Sequence, residues 1–319
     1  MQKISSKDNS LIKHIKRLKE KKYRDEYGEF IVEGLKVINE AIQEHANIRH
    51  IVVCDGCDNS EMIESHLKYE MARLDFIYVP QNIFKMISDV ENPQGVLAVI
   101  GKYKKNDELD NRANKNKHEE ANESIPREDK EETEVYKKRD DNKEEEASNK
   151  RDNRKEAEQT SKISNINLNE DIILALDDIQ DPGNLGTILR TADSVGLKQI
   201  LVSKGTADAY NPKVVRSTMG AIFRVNVIEC ENLKVTLKVL QNKDYKVMTT
   251  SLKAKKSIYE VDYKKKVIVI GNEANGVSKE IINLADEKVI IPMLGKTESL
   301  NASVATGVIL YEYVRQTIN

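Results

Sequence analysis

The residues of this chain best suited to chemistry lie in three loops, each of which follows an apolar run. The first loop leads to Asn184 and Arg190, the second contains Glu273, and the third leads to Ser299 and Asn301. An arginine guanidinium can hold a phosphate and stabilise negative charge that develops on an oxygen. Carboxylate, amide and hydroxyl groups can orient the reacting partners, so these residues form a plausible site for a phosphate-bearing substrate.

The apolar runs before these loops read as strands that alternate with helical spacings. The expected strands are residues 172–176, 200–202, 225–228, 246–249, 267–270 and 289–291. Near-continuous apolar strands are typical of a parallel sheet covered on both faces, so we predict an open, doubly wound α/β sheet. Ligands of such sheets bind beyond the carboxyl ends of the strands, where all three loops fall. Residues 299–317, with Val304, Val308 and Tyr311 on one stripe, should form a long closing helix.

The loops do not carry the glycine patterns of common nucleotide sites. Neither G-x-G-x-x-G nor G-x-x-x-x-G-K-[ST] occurs at these turns, which counts against a Rossmann dinucleotide site and a P-loop. Gly271 and Gly276 can allow close backbone approach, and Pro292 fixes the chain where a strand leaves the sheet. These patterns do not exclude a cofactor site formed mostly by backbone groups.

Three segments carry a family resemblance: 176–193, 271–276, and 290–293 together with 299–305. They resemble the signature motifs of the SpoU/TrmH family, the RNA ribose 2'-O-methyltransferases of the SPOUT superfamily, over residues 171–318. Residues 30–34, Phe-Ile-Val-Glu-Gly, resemble the substrate-binding domain that many members carry in front. The resemblance implies a parallel-sheet SPOUT domain with a trefoil knot behind a small N-terminal α/β RNA-binding domain.

The resemblance also implies a cofactor, S-adenosyl-L-methionine, bound by main-chain contacts from Gly271, Ile291 and Leu300. The further cofactor-binding candidates are Asn272, Gly276, Pro292 and Met293. The family commonly has glycine where this chain has Ala274, a difference that would matter if the backbone there had a positive φ.

The same resemblance gives roles to the polar residues. Arg190 is cast as the general base or as the group that positions phosphate and ribose, and arginine normally stays protonated. Asn184 would orient Arg190 or the ribose, and Glu273 would accept a hydrogen bond from the arginine or the substrate. Ser299 and Asn301 would fix the third loop and contact the target nucleotide. A capping or turn role is the alternative for each of Asn184, Glu273 and Ser299.

Two sets of basic residues are candidates for contacts with RNA phosphates. One lies in the basic run of residues 13–24. The other lies in residues 211–221, which also resemble a family segment, and the resemblance implies a helix beside the catalytic face. The candidates are Lys13, Arg17, Lys21, Lys22, Lys213 and Arg216. The alternative for the first set is a solvated helix face.

Composition divides the 319 residues into three parts. Residues 104–168 hold 16 Lys and Arg and 19 Asp and Glu in 65 positions, with few large apolar side chains. Such a segment buries too little apolar surface to offset its ordering entropy, which favours a disordered linker over a long solvated helix. We therefore predict an N-terminal RNA-binding domain over 1–103, a linker over 104–168 and a catalytic methyltransferase domain over 169–319.

Three cysteines do not form a disulfide framework, which fits a reducing compartment. Cys54 and Cys57 make one C-x-x-C, a weak zinc signal, and we expect no metal. No apolar stretch approaches the length of a membrane span or of a signal peptide core. We expect a cytoplasmic protein, and the resemblance implies a homodimer.

The function expected is 2'-O-methylation of ribose in RNA, with large-subunit ribosomal RNA as the substrate that the family type favours. A tRNA methyltransferase is an alternative, although the N-terminal extension favours a larger RNA. The second alternative is a noncatalytic RNA-binding protein of ribosome assembly. The presence of all five candidate catalytic residues argues against this alternative.

Overall fold

Seven parallel strands form the sheet of the C-terminal half. The computed structural model describes residues 2–57, 59–67, 73–102 and 166–318. The strands are β6 (Ile172–Asp177), β7 (Gln199–Ser203), β8 (Asn226–Cys230), β9 (Lys246–Thr250), β10 (Lys256–Ser257), β11 (Lys266–Gly271) and β12 (Glu287–Ile290). Their order across the sheet is β10-β12-β9-β11-β6-β7-β8, and every pairing is parallel. The predicted parallel sheet is confirmed.

Helices cover both faces of this sheet. They are α6 (Pro182–Ser194), α7 (Pro212–Thr218), α8 (Leu233–Gln241), α9 (Lys279–Leu284) and α10 (Ala302–Ile318). One apolar cluster packs residues of α6, α7 and α10 against one face, and a second packs residues of α8 and α9 against the other. Alternate strand residues point to opposite faces, so Leu174 lies in the first cluster and Ala175 in the second. The doubly wound arrangement follows, and the knot implied by the family resemblance stays a prediction.

A smaller mixed sheet makes up the N-terminal half. Its strands are β1 (Gln2–Lys3), β2 (Glu29–Glu33), β3 (Ile48–Asp55), β4 (Phe76–Pro80) and β5 (Val96–Gly101), in the order β1-β4-β3-β5-β2. Its helices are α1 (Ser10–Arg17), α2 (Lys21–Tyr27), α3 (Leu35–Gln43), α4 (Ser60–Leu67) and α5 (Gln81–Ile87). The N-cap of α1 is Asn9, whose Oδ1 accepts the Leu11 N–H at 2.9 Å.

The end of the segment predicted as a linker contributes to the packing of the seven-stranded sheet. Residues 104–165 of it lie outside the described residues, and the domain division stays a prediction. Ile166 is 6% exposed in the cluster that α8 and α9 cover. The Tyr245 hydroxyl lies 2.9 Å from the Leu168 carbonyl oxygen and 2.6 Å from that of Glu170. Residues 166–168 therefore pack with the seven-stranded sheet.

The closing helix begins later than the pattern predicted. It starts at Ala302, and Asn301 Oδ1 accepts the N–H groups of Ser303 at 2.9 Å and Val304 at 3.4 Å. Asn301 is thus the residue that caps the helix, and the alternative role of Ser299 as its N-cap is wrong. Val304 and Tyr311 are 51% and 55% exposed, so the stripe they form faces outward.

The two sheets share one apolar core. The cluster on the α6 side of the large sheet also contains Phe30 of β2 and Ile38 of α3, and the rings of Phe30 and Tyr210 lie 4.8 Å apart between centroids. Within the described chain, none of the helices combines the length and apolarity that a membrane crossing requires. Cys54 and Cys57 are bonded to each other as a disulfide, so this C-x-x-C offers no pair of free thiolates.

Candidate active site

The site is built where β6 and β11 end side by side. Leu176 pairs with Ile270, and Asp177 pairs with Gly271, so the two loops that follow start next to each other. Asn272 connects them, because its Nδ2 donates to the Asp178 carbonyl at 2.8 Å. Its Oδ1 accepts the N–H groups of Ala274 and Asn275, which folds the second loop back on itself. The Asn272 side chain is thereby committed to holding the loops.

Local sequence sets where helix α6 begins. Asp181 is its N-cap and accepts the Asn184 N–H at 2.8 Å, while Pro182 occupies the first turn, where a missing N–H costs nothing. This start places Asn184 in the first turn, facing the loop that contains Glu273. Asp181 and Pro182 thus indicate from the sequence where the helix begins, and therefore that Asn184 lies in its first turn.

Three predicted catalytic residues from three separate loops form one hydrogen-bonded cluster. Asn184 Nδ2 donates to Glu273 Oε1 at 2.9 Å. Asn301 Nδ2 donates to Asn184 Oδ1 at 2.9 Å. Because each amide uses its nitrogen as donor toward the next acceptor, the chain of bonds runs from Asn301 through Asn184 to the carboxylate. The sequence analysis proposed these three residues for one site. In the structure they are in contact, and their hydrogen bonds fix the orientation of each side chain.

Glu273 is the acceptor on which this cluster ends. Its carboxylate also accepts the backbone N–H groups of Gln180 at 3.4 Å and Asp181 at 3.3 Å. Burial alone would raise the pKa of Glu273, but the hydrogen bonds from Asn184 and the backbone outweigh it and lower the pKa below its ordinary value of 4.5. A carboxylate held by several donors therefore stays ionised at neutral pH.

Arg190 and Ser299 lie outside this hydrogen-bonded cluster. Arg190 is exposed on α6, six residues beyond Asn184, and its side chain has no hydrogen bond or ion pair with the described residues. Ser299 is exposed in the loop before α10 and likewise has no such partner there. The guanidinium of Arg190 is therefore available to a bound molecule, as a substrate-holding role requires.

The second set of predicted phosphate contacts lies on α7, which packs closely against α6. A side chain at Gly186 would place its Cβ 2.4 Å from Ser217 Cβ and 2.8 Å from the Val214 carbonyl oxygen, so only glycine allows this approach. Lys213 is exposed. Arg216 already pairs with Asp89 at 3.1 Å, and a phosphate would compete with that carboxylate.

The residues predicted to bind the cofactor lie at the end of β11 and in the loop after it, in the loop after β12, and just before α10. Gly271 is buried, and a Cβ there would lie 2.1 Å from the backbone of Gly276 and Val277, so this turn requires glycine. Gly276 takes a positive φ of 67°, whereas Ala274 is not among the residues with positive φ, which removes the concern raised by its methyl group. Ile291, Met293 and Leu300 are partly buried, and Pro292 is exposed.

The loop after β12 offers unpaired backbone groups beside these apolar side chains. Residues 292–300 form no hydrogen bond with one another or with the rest of the chain that the structure describes. Polar backbone groups next to half-buried apolar side chains suit a ligand that has an apolar body and several hydrogen-bonding edges.

Several residues that shape the site were not predicted from sequence. Asp178 adopts a positive φ of 64°, which turns the chain toward Asn272, and Asp208 lies in the loop beyond β7 that borders this turn. Arg24 donates a hydrogen bond to Asp208, and Arg224 donates one to Asp193 of α6. An aspartate gives only a weak indication of a left-handed turn. Contacts between residues far apart in the chain leave no recognisable pattern in the sequence.

The chain is similar to known RNA methyltransferases. Residues 171–311 match the SpoU rRNA Methylase family, and residues 9–98 match the MRM3-like substrate binding domain. The chain is 26% identical to the 23S rRNA (guanosine(2553)-2'-O)-methyltransferase RlmP of Bacillus subtilis over 98% of both lengths. It is 39% identical to the 23S rRNA (guanosine-2'-O-)-methyltransferase RlmB of Xylella fastidiosa, over 46% of this chain and 59% of that relative. The AdoMet-bound rRNA methyltransferase from Sinorhizobium meliloti superposes with a TM-score of 0.71 and 25% identity, over 100% of this chain and 99% of that one.

The match to the SpoU rRNA methylase family and the similarity to rRNA guanosine 2'-O-methyltransferases support an RNA ribose 2'-O-methyltransferase, a class whose methyl donor is S-adenosyl-L-methionine. Residues 171–311 are a domain of the SpoU methylase family, whose model they match. The backbone groups of residues 292–300 and the apolar side chains beside them fit that donor, because its adenosine offers both an apolar ring face and hydrogen-bonding edges.

The lowered pKa of Glu273 predicts a pH-dependent cost for Glu273→Gln. A carboxylate with a depressed folded-state pKa adds stability that is complete above the unfolded-state pKa and lost as pH falls through the folded value. The difference in unfolding free energy between wild type and variant should be constant near neutral pH and shrink below about pH 4.5. Urea denaturation at several pH values measures it. Glu91→Gln, at an exposed glutamate, is the matched control, and a difference that did not change with pH would contradict this account.

Proposed function

We propose that this protein methylates the 2'-oxygen of a ribose in large-subunit ribosomal RNA. The observation that carries the proposal is the cluster of Asn184, Glu273 and Asn301, which joins all three sequence motifs at the carboxyl edge of the parallel sheet. The similarity to methyltransferases of 23S rRNA supports the choice of RNA. An intact cluster favours an enzyme over a noncatalytic assembly protein. A ribosomal RNA substrate also favours a cytoplasmic location.

Each residue has a role that its surroundings support. When bound, the cofactor supplies the electrophilic methyl group. The exposed Arg190 holds a phosphate next to the target ribose and stabilises charge on the 2'-oxygen, and we assign it a positioning role because its planar set of donors suits the binding of a phosphate. Asn184 and Asn301 present a fixed amide surface to the nucleotide, and Glu273 orients Asn184.

Arg190→Ala should lower the single-turnover rate of methyl transfer about a hundredfold, because the lost charge-assisted contact is worth ~3 kcal/mol in the transition state. The dissociation constant for S-adenosyl-L-methionine, measured by calorimetry, should stay near the wild-type value. Arg190→Lys tests the geometry: a lysine recovers little if the planar fork of the guanidinium is needed. A wild-type rate in Arg190→Ala would exclude this residue from the site.

The N-terminal helices present a basic face with tyrosines between the charges. Arg17 lies over the ring of Tyr23, with 5.3 Å from Cζ to the ring centroid, and Lys22 Nζ lies 5.6 Å from the same centroid. The rings of Tyr23 and Tyr27 stack with centroids 6.0 Å apart. Cations bind phosphates and aromatic rings stack on unpaired bases, so we propose that α1 and α2 dock the RNA.

Changing Lys13, Arg17, Lys21 and Lys22 together to Gln should weaken RNA binding and flatten its salt dependence by about one unit of slope for each lost phosphate contact. Cofactor affinity should not change. The matched control replaces four exposed lysines at or near the amino ends of β7 and β9, namely Lys198, Lys238, Lys243 and Lys246, with Gln. If the two quadruple variants had equal salt slopes, α1 and α2 would not be the surface that docks the RNA.

We also propose that the enzyme works as a homodimer through α10. Val304, Tyr311 and Ile318 recur every seven residues on this helix and are 51%, 55% and 78% exposed. The Tyr311 hydroxyl lies 3.4 Å from Ser194 Oγ on α6, the helix that carries Arg190. An apolar stripe of this kind on a surface helix favours contact with a second copy, and that copy would then lie beside the site.

Val304→Glu should weaken the dimer by ~2 kcal/mol, or roughly thirtyfold, because it places a charge in the apolar stripe. Sedimentation equilibrium over a range of concentrations measures the change. Val235→Glu is the control: this valine is also exposed on a helix, but on the opposite face of the large sheet. If both variants associated like the wild type, α10 would not be the interface.

A further inference from the structure

Arg24 lies inside the basic run of the N-terminal helices, yet it is only 2% exposed. Its Nε and Nη2 donate to Asp208 Oδ2 at 2.9 and 2.6 Å. Its Nη1 donates to the carbonyls of Leu18 at 2.8 Å and Lys19 at 2.7 Å. A buried guanidinium with all three nitrogens engaged is held in one geometry, because an unpaired charge at this depth would be strongly unfavourable.

Asp208 belongs to the catalytic half of the chain and lies close to its polar cluster. Its neighbour Ala207 donates its N–H to the Ile179 carbonyl at 2.8 Å. The two residues that follow Ile179 are Gln180 and Asp181, whose N–H groups donate to Glu273. A short series of bonds therefore connects Arg24 with the carboxylate that orients Asn184.

A second arginine makes a parallel connection from the other side. Arg224 donates to Asp193 of α6 through Nε at 2.9 Å and to Glu40 of α3 through Nη1 at 2.5 Å. Its hydrogen bonds with Asp193 and Glu40 raise the pKa of its guanidinium despite partial burial. Helix α6 carries Asn184 and Arg190, so both of the elements that hold the site are tied to the N-terminal half.

We propose that Arg24 and Asp208 are positioning residues that hold the RNA-docking helices and the catalytic cluster in one fixed frame, with Arg224 as a second anchor. RNA bound on α1 and α2 then presents its target ribose to Asn184 and Asn301 in a single orientation. The pair controls the rate of methyl transfer within the RNA complex, not the affinity for RNA. This inference rests on the proposed function of the site.

The size of the effect follows from the sensitivity of group transfer to alignment. A misplacement of about 1 Å can slow such a reaction roughly a hundredfold. Loosening the frame should therefore lower the single-turnover rate on bound RNA at least about tenfold. The dissociation constants for RNA and for S-adenosyl-L-methionine should stay within about twofold of wild type, since neither residue of the pair is assigned to contact them.

The test compares Asp208→Asn, Arg24→Gln and the double variant, using transcribed 23S ribosomal RNA and labelled S-adenosyl-L-methionine. If the residues act as a pair, the double variant is no slower than the slower single variant. Tyr245→Phe is the control for general destabilisation, because it removes a buried hydroxyl contact near the amino end of β9, away from the site. It should lower the melting temperature and leave the single-turnover rate unchanged.

A second measurement does not depend on activity. Amide hydrogen exchange at Ala207, Gln180 and Asp181 should accelerate in Asp208→Asn without RNA or cofactor, and should not accelerate in Tyr245→Phe. A wild-type rate on bound RNA in Asp208→Asn, or unchanged exchange at these amides, would overturn the inference. If wild-type protein did not methylate the RNA at all, the proposed function would fail, and the exchange result would still decide whether Arg24 holds the loop.

Discussion

The pairing of β6 with β11 is the constraint on which the rest of the site depends. Because their last residues pair, two loops that are more than 90 positions apart in the chain leave the sheet side by side. Glu273 in one loop can then accept the backbone N–H groups of the other, and Asn184 can reach the same carboxylate. The third motif needs only the cap of α10 to bring Asn301 within 2.9 Å of Asn184. A shift of this register by one residue would separate all three groups.

Much of this arrangement was predictable because its signals are local. Continuous apolar runs indicated buried parallel strands, and their carboxyl ends located the three loops. The Asp181-Pro182 pair fixed the start of α6. The start of α10 was predicted three residues too early, because a serine before an apolar run looks like a cap, whereas the asparagine two residues later has the better geometry.

Other features had no local signal. Arg24 reads as one more cation in a basic run, and only the fold shows that it turns inward to a carboxylate 184 positions away. Arg216 reads as a free phosphate contact, and only the fold pairs it with Asp89. Charge patterns indicate that a surface is basic, but they do not reveal which side chains point into the protein. That choice depends on partners that long-range packing brings near.

Gly186 has a consequence for how this surface can evolve. Any side chain at Gly186 would collide with α7. The close spacing of α6 and α7 therefore requires a residue without a Cβ at this position. Such a spacing cannot drift by small steps, because even the smallest substitution separates the two helices. Substitutions at the residues exposed on these helices leave this spacing unchanged, so side-chain contacts with RNA can vary while the distance between the two helices does not.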